Sequence, residues 1–553
     1  MAEPTLPIID LDQIADPGAR RAIQGLLNLV EPLAADNRTL REENRRLRDE
    51  NLRLKGEQGR PVIKPNVRPP APPDHSSERE RHQPTPRQPR SKLAEIVIHR
   101  TEDLAVDRAL LPPDAQFKGY DEVTVRDSIF RTDNVRFRKE QWYSAAEQKS
   151  YRAPLPPGYD GQFGPGLVAL VLVLSCASHV SEPKILEVLR GIGVQISDGH
   201  LSNLLIKDQD ALHAEKAAII EAGLASSPWQ HLDDTATRVN GHNHSCQVLC
   251  NPLYTAYTTT PTKDRATVLA VLRNGRPPTY LLNDEALGYL AQVPLAAKTR
   301  RRLTHLPRDR VLDEPTVLAL LAEHLPGLGD QPRKWILDAL AVGAYHAQAE
   351  GPVVRRLVCD DAPPFTWLTE ELALCWVHEG RHYKKLDPFL PQHRQAVADF
   401  LTDFWAFYDD LLAYRQQPTP AERTRLEAAF DTLFSRQTGY WRLDERIAST
   451  RGKKAHLLLV LTHPEIPLHN NPAALGARAR VRKRNVSFGP RTAEGARAWD
   501  TGMTLVETAK KLGVNIYRYL HERVSGSNQG PALADLIAER ATDLNLGASW
   551  ATS

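Results

Sequence analysis

A leucine recurs at every seventh position near the start of the chain, and this repeat constrains the local structure more than any other sequence feature. The other position of the seam, four residues further on, is Val30 and then mostly asparagine. This pattern predicts a parallel, dimeric coiled coil, because buried asparagines cost stability but fix the register and the partner. Pro32 is predicted to begin the helix. A single solvated amphipathic helix is the alternative. The predicted dimerisation residues are Leu33, Asn37, Leu40, Asn44, Leu47, Asn51 and Leu54, and the repeat begins at Leu26.

Composition narrows the class of protein. The 553 residues correspond to three or four domains, and 71 Lys and Arg nearly cancel 68 Asp and Glu, so any nucleic-acid signal must be local. Five cysteines argue against a disulfide-built secreted scaffold and favour the reducing cytoplasm. The longest apolar run, residues 167–177, is too short to span a bilayer, which needs about 20 residues. The first residues lack the pattern of a secretory signal. A multidomain cytoplasmic protein is therefore expected.

Shifts in composition divide the chain into six segments. Residues 1–55 hold the N-terminal segment and the coiled coil, and residues 56–94 form a basic linker with nine prolines between positions 61 and 90. A small β-rich module is predicted at 95–160, with alternating strands at 123–130 and 134–138. A helical region follows at 161–227, then an α/β domain at 228–500 with a helical insertion at about 283–350. Residues 501–553 are a C-terminal helical segment.

The region 161–227 has the layout of a helix-turn-helix. A helix capped by Ser181 ends at Gly191-Ile-Gly193, and another begins after Ser197. Ser197, His200 and Asn203 are the candidate DNA contacts of the second helix. An ordinary helical hairpin gives the same pattern, so this signal is weak alone.

Two pairs of aspartates follow strand-like runs in the α/β domain. Asp233-Asp234 follows a run from Trp229, and Asp360-Asp361 follows a run from Val353. Adjacent strand ends can bring such carboxylates together, and a divalent cation then relieves their repulsion. Mg²⁺ held in this way can support phosphodiester cleavage. The alternative is that the aspartates only cap turns.

A dense basic run occupies residues 478–484, with five basic residues in seven positions and no acid. Such density favours contact with DNA phosphates over a merely solvated helix face. The candidate DNA-binding residues are Arg478, Arg480, Arg482, Lys483 and Arg484.

Other patterns in the sequence do not indicate a site. The His/Cys spacing of residues 242–250 is a poor zinc pattern, and residues 375–378 are interpreted as core. The sequence has no phosphate-binding loop for ATP or GTP.

Five short motifs in a fixed order carry a resemblance to a known family. Asp233-Asp-Thr235 resembles the D-E-T motif of that family, and Cys359-Asp-Asp361 resembles its S-D-G. The other three are residues 375–383 (C-W-A-H-x-R-R-K-F in the family), 470–483 (N-N-x-x-E-R, then R-K) and 507–520 (E-T-A-K, then G, then Y-x-Y-L). Together with the coiled coil and the basic linker, this order resembles the bacterial insertion-sequence transposases of the IS66 family.

The resemblance implies an RNase H-like α/β catalytic domain with an Asp-Asp-Glu set. Asp233 takes the first catalytic place and Asp360 the second, and both would hold Mg²⁺ or Mn²⁺. The implied activity is hydrolysis at transposon ends followed by strand transfer into target DNA. The implied partners are end and target DNA, a second copy or more of this chain, and accessory proteins of the same element, with no membrane. The expected location is the bacterial nucleoid.

Two departures from the family leave alternatives open. Residues 95–160 contain no cysteine where the family has a zinc-binding module, and Ala474 occupies the expected third carboxylate position. Glu465 and Glu494 do not fit the motif. One alternative is therefore a catalytically inactive, transposase-derived, dimeric DNA-binding protein. Another is a coiled-coil transcription factor with an inert α/β body, which leaves the paired aspartates unexplained.

Overall fold

The computed structural model of the protein describes residues 9, 11–54, 97–107, 111–112, 114–127, 132–159 and 161–544. The predicted linker at 56–94 lies outside the described residues. So do parts of the predicted strand at 123–130 and of the C-terminal segment.

The described residues form seven β-strands and nineteen α-helices. The strands are β1 (Gln141–Ser144), β2 (Lys149–Arg152), β3 (Trp229–Val239), β4 (His242–Cys250), β5 (Thr255–Thr260), β6 (Arg356–Cys359) and β7 (Glu371–Leu374). The helices before β6 are α1 (Pro17–Leu54), α2 (Pro165–Cys176), α3 (Glu182–Gly191), α4 (Asp198–Ile206), α5 (Asp210–Ala225), α6 (Arg265–Leu272), α7 (Asp284–Ala291), α8 (Ala297–Leu303), α9 (Glu314–His324) and α10 (Asp330–His346). The later helices are α11 (Trp376–Lys384), α12 (Pro391–Gln416), α13 (Pro420–Leu433), α14 (Trp441–Gly452), α15 (Lys454–Leu457), α16 (Asn471–Ser487), α17 (Ala493–Lys511), α18 (Ile516–Val524) and α19 (Leu533–Asp543).

A five-stranded mixed sheet forms the centre of the molecule, in the order β5-β4-β3-β6-β7. β3 pairs antiparallel with β4 and parallel with β6, and the remaining neighbours are β4 with β5 (antiparallel) and β6 with β7 (parallel). The predicted mixed α/β class is therefore confirmed.

One boundary of the sheet differs from the prediction. β3 does not end at Asp233-Asp234 but continues to Val239. The reason is the partner strand: β4 pairs with β3 all the way to a turn at Asn240-Gly241, where both residues have positive φ. The first four residues of β3 are buried and the later ones are mixed, so the aspartates lie where the strand leaves the core.

The small β-rich module differs more strongly. The described residues of the runs 123–130 and 134–138 form no strand, so that prediction is wrong for them, and the hairpin β1–β2 follows instead. The apolar side chains of the described residues in these runs are exposed, with Val123 at 78% and Val125 at 81%. Alternation alone does not form a strand when the described part of the chain offers no surface on which to bury the apolar face.

The first helix also begins earlier than predicted. α1 starts at Pro17, so Pro32 lies inside the helix rather than at its start. An internal proline costs about 3 kcal/mol. The same turn docks on the body: Glu31, 3% exposed, accepts hydrogen bonds from the backbone N–H groups of Phe389 and Leu390 and contacts His393. Leu26, Leu33, Leu40 and Leu47 of the seam remain exposed in the single chain.

Two helices pack against the sheet: α16 lies on β3 and β4, and α17 lies on β5. Gly476 of α16 lies so close to β4 that a Cβ atom there would be 2.7 Å from Val248. Tyr257 donates its hydroxyl to the Gly476 carbonyl at 3.1 Å, and Asp500 of α17 accepts from the Thr259 N–H at 2.6 Å. A glycine at 476 thus allows α16 to lie directly on the sheet.

Candidate functional site

Asp233 lies on β3, and Asp360 directly follows the neighbouring strand β6. His231 of β3 is paired with Val358 of β6 in parallel register, and two further residues along each strand lead to Asp233 and Asp360. Asp360 follows the last residue of β6, and its carboxylate accepts a hydrogen bond from the Ala362 N–H at 3.2 Å. The predicted pairing of these two carboxylates thus has a structural basis in one parallel ladder.

The electrostatics of the pair are unfavourable for two anions. Burial and the neighbouring charge of Asp360 raise the pKa of Asp233 to about 7, against a weaker opposing hydrogen bond from the Asp234 N–H. Among the residues that the structure describes, no lysine or arginine forms a salt bridge with Asp233 or Asp360. A cation bound between them would remove the repulsion and favour the ionised form of Asp233.

The second aspartate of each pair has a different environment. Asp234 accepts the Ser245 hydroxyl at 2.8 Å and lies 3.6 Å from the Lys263 ammonium. Asp361 accepts from Lys453 and lies 3.5 Å from the His378 ring. Both second aspartates are therefore balanced by cationic or polar side chains of the protein.

The beginning of α16 is fastened to β3 beside Asp233. Asn470, the residue before the helix, donates its side-chain amide to the Leu232 carbonyl at 2.7 Å and contacts His231 Nδ1 at 2.9 Å. Burial lowers the pKa of His231 to about 3, so its ring is neutral. Because alternate residues of a strand share a face, Asp233 faces the same side as His231, towards α16. Ala474 lies one helical turn after Asn470 and is half-buried.

The basic run divides between two sides of α16. Arg480 and Lys483 are buried: Arg480 lies 3.2 Å from Asp500, and Lys483 donates to the Ser175 carbonyl at 2.7 Å. Their burial does not suit contact with a DNA phosphate; they hold α16 against the body. Arg478 and Arg482 are exposed, and Arg484 is half-buried and donates to the Ala236 carbonyl.

The predicted helix pair occurs as α3 and α4, joined by a short turn containing Gly193 at φ +85°. Ser197 caps α4 by accepting from the His200 N–H at 3.3 Å, and Ser197 and Asn203 are exposed. His200 is half-buried, with its ring edge-on to Phe163. The role of these residues in DNA contact stays a prediction.

Sequence analysis missed a group of possible metal ligands next to Asp360. One ligand atom each from Asp361, His378 and His382 lies within 4.8 Å of the others. The signal was present: His378 and His382 are four residues apart and thus share one face of α11. The interpretation of residues 375–378 as core does not include a metal-binding role for His378. Cys375 is indeed buried, and its sulfur accepts the N–H groups of His378 and Asn470.

Glu379, between the two histidines, is fully engaged elsewhere. It accepts hydrogen bonds from Thr450 at 2.5 Å, from Lys453 at 3.1 Å and from Arg446. Burial opposes its ionisation, but the Thr450 hydroxyl and the charges of Arg446 and Lys453 outweigh that effect and hold the pKa of Glu379 below its usual range. Although a His-Glu-x-x-His sequence is typical of metallopeptidases, this glutamate is not available as their general base.

Fold and site define a mixed α/β protein with a paired-carboxylate centre. A family model described as "Transposase IS66 family" matches residues 160–307, which include Asp233. An uncharacterized protein of Sinorhizobium fredii (strain NBRC 101917 / NGR234), y4jO, is 34% identical over 331 residues; the alignment covers 58% of this chain and 100% of the relative. The chain belongs to the IS66 transposase family. In the part of the chain that the structure describes, no helix combines the length and apolarity needed to cross a membrane.

Proposed function

We propose that this protein is a metal-dependent DNA transposase of the RNase H-like, Asp-Asp-Glu type, which hydrolyses phosphodiester bonds at transposon ends and joins the freed 3′ ends to target DNA. The observation that carries the proposal is the parallel pairing of β3 with β6, which brings Asp233 and Asp360 together. Membership of the transposase family supports the same conclusion.

The donor set fits Mg²⁺ or Mn²⁺. Asp233 and Asp360 offer carboxylate oxygens, which these ions prefer, and the raised pKa of Asp233 reflects its burial and the neighbouring charge of Asp360. When bound, the ion would polarise the scissile phosphate and lower the pKa of an attacking water. The chain itself would hold the two oxygens in place through the sheet ladder and, through Asn470, the start of α16.

Ala474 marks the weak point of this site. It lies on the turn of α16 that follows Asn470, on the side of the sheet towards which Asp233 points. A glutamate at this position would add the third carboxylate of the family pattern. With alanine there, the chain supplies two carboxylates, and we propose that its activity is reduced accordingly.

DNA would be held by surfaces outside the carboxylate pair. We assign phosphate contact to Arg478, Arg482 and Arg484, and end recognition to Ser197, which caps α4, and to His200 and Asn203 within α4. Two copies of the chain would pair through the leucines of α1, which are more than half exposed at Leu33, Leu40 and Leu47. An exposed leucine seam is stabilised when a second helix covers it.

A cleavage and strand-transfer assay tests the proposal. The full chain and its Ala474→Glu variant are compared on end DNA with Mg²⁺ or Mn²⁺. We expect at least about tenfold more product from the variant. Even the loss of residues that only hydrogen-bond to metal ligands typically lowers metal affinity or activity by about 10–100-fold. Replacing Leu475, the exposed neighbour of Ala474, by Glu is the matched control and should not raise activity. If Ala474→Glu gains nothing while both proteins bind the ends, the catalytic proposal fails.

The second candidate is a catalytically inactive, dimeric DNA-binding protein derived from a transposase. Ala474 is the specific observation that favours it. In that case both proteins bind end DNA and neither cleaves it. Specific binding would then persist at salt concentrations that abolish binding to unrelated DNA, because phosphate contacts alone weaken steeply with salt.

A further inference from the structure

Three side chains with metal-binding atoms converge beside the carboxylate pair without belonging to it. His378 and His382 lie on one face of α11, and Asp361 reaches them from the loop after β6. Asp361 Oδ1 is 3.5 Å from His378 Nε2 and 3.9 Å from His382 Nε2. The two histidine rings are edge-on, with centroids 4.8 Å apart.

These separations suit a small tetrahedral ion. Metal–ligand bonds of about 2.0–2.2 Å place the ligand atoms of a tetrahedral Zn²⁺ site about 3.3–3.6 Å apart. The three side chains are 27–31% exposed, so small rotations can close the remaining gap, and water can take a fourth position. His382 Nε2 is buried without any hydrogen-bond partner, although leaving such an atom unpaired costs about 1–3 kcal/mol.

The charges around the cluster leave one oxygen of Asp361 available. Lys453 takes Oδ2 and also contacts Glu379, whereas Oδ1 faces the two histidines. Glu379 is further balanced by Arg446. Lys453 thus does not block the ligand atoms, but its charge opposes a cation nearby.

From this geometry we infer that Asp361, His378 and His382 form a binding site for Zn²⁺ or a similar first-row transition-metal ion. Two imidazole nitrogens and one carboxylate oxygen favour such an ion over Mg²⁺, which prefers oxygen ligands. The bound ion would tie the loop after β6 to α11 and so fix the backbone next to Asp360. The inference does not depend on catalysis.

Zinc titration of the full-length, chelator-treated protein tests this site. Calorimetry gives stoichiometry and affinity, and Co²⁺ substitution gives the visible spectrum of a tetrahedral site. We expect one tightly bound ion per chain at this site, and at least tenfold weaker binding there in His382→Gln and in His378→Gln. His305→Gln, an exposed histidine of the insertion, and Asp233→Asn, from the other carboxylate site, should bind Zn²⁺ like the parent.

A second variant keeps the test decisive if a histidine replacement impairs folding. Lys453→Met removes the opposing charge and frees Asp361, so its Zn²⁺ affinity should rise several-fold. The inference is overturned if the parent takes up no stoichiometric Zn²⁺ at micromolar concentration. It is equally overturned if His382→Gln, folded by circular dichroism, binds as tightly as the parent, or if Asp233→Asn abolishes binding.

Discussion

The two aspartate pairs contain two kinds of carboxylate. Asp234 and Asp361 are each balanced by side chains of the protein, Lys263 and Ser245 for one and Lys453 for the other. For Asp233, by contrast, burial and the neighbouring charge of Asp360 raise the pKa to about 7. Neighbouring residues in sequence thus have opposite electrostatic situations. The difference separates carboxylates that side chains of the protein already balance from the two carboxylates to which we assign a divalent cation in the proposed function.

The largest effect is expected on DNA cleavage, which tests directly whether the two kinds of aspartate differ. In the Ala474→Glu protein, Asp233→Asn should lower end cleavage by at least about 100-fold, since it removes a metal ligand. Asp234→Asn, the matched control on the same strand, should lower cleavage less than tenfold. Rates of cleavage at saturating Mg²⁺ measure both. Equal losses in the two variants would mean that the two aspartates are not different in kind.

Next in size is the loss of the ammonium that balances Asp361. In the metal-free protein, Lys453→Met should lower the free energy of unfolding by about 3 kcal/mol, because Glu379 and Asp361 lose a partly buried partner together. Urea unfolding measures the change. A loss below about 1 kcal/mol would show that Asp361 is not stabilised by the fold in the way described.

The pH dependence of stability sharpens the comparison at Asp233. Its folded-state pKa of about 7 exceeds the ordinary value near 4, so the folded state binds the extra proton, and stability falls as pH rises between the two values. Without metal, Asp233→Asn should therefore gain roughly 1–3 kcal/mol over the parent at pH 8 but little at pH 4. Thermal unfolding at both pH values measures the gain. A constant difference between the two would contradict the raised pKa.

The smallest effect is expected at Lys263. Its side chain is 65% exposed and lies 3.6 Å from Asp234, which keeps its hydrogen bond from Ser245. Exposed ion pairs contribute at most about 1 kcal/mol. Lys263→Met should therefore change the free energy of unfolding by about 0.5 kcal/mol or less in urea titration. If Lys263→Met lowered the free energy of unfolding as much as Lys453→Met, solvent exposure would not explain how much each lysine contributes to stability.

The sequence could predict the aspartate pairing but not the partners of the second aspartates. Strand-like runs and turn residues indicate β3 and β6, and their parallel pairing brings Asp233 and Asp360 together. Lys453 lies 92 residues after Asp361, in the turn between α14 and α15, and no local pattern indicates that contact. The same holds for Arg480 and Lys483: the basic density was visible, but their burial depends on Asp500 and Ser175, which lie elsewhere in the chain.

Pro32 shows how a local sequence preference can give a wrong prediction. A local rule placed it at the start of a helix, yet it lies within α1, in the turn where Glu31 contacts the N–H groups that precede α12. A distant contact here outweighs the local preference.

That docking of Glu31 has a mechanical consequence. Because a buried carboxylate joins α1 to the start of α12, the helix cannot swing freely about the body. If two chains pair along their leucine seams, the docked α1 helices fix how the two bodies are oriented relative to each other. The register of the paired helices would then determine the distance between the two paired-carboxylate centres.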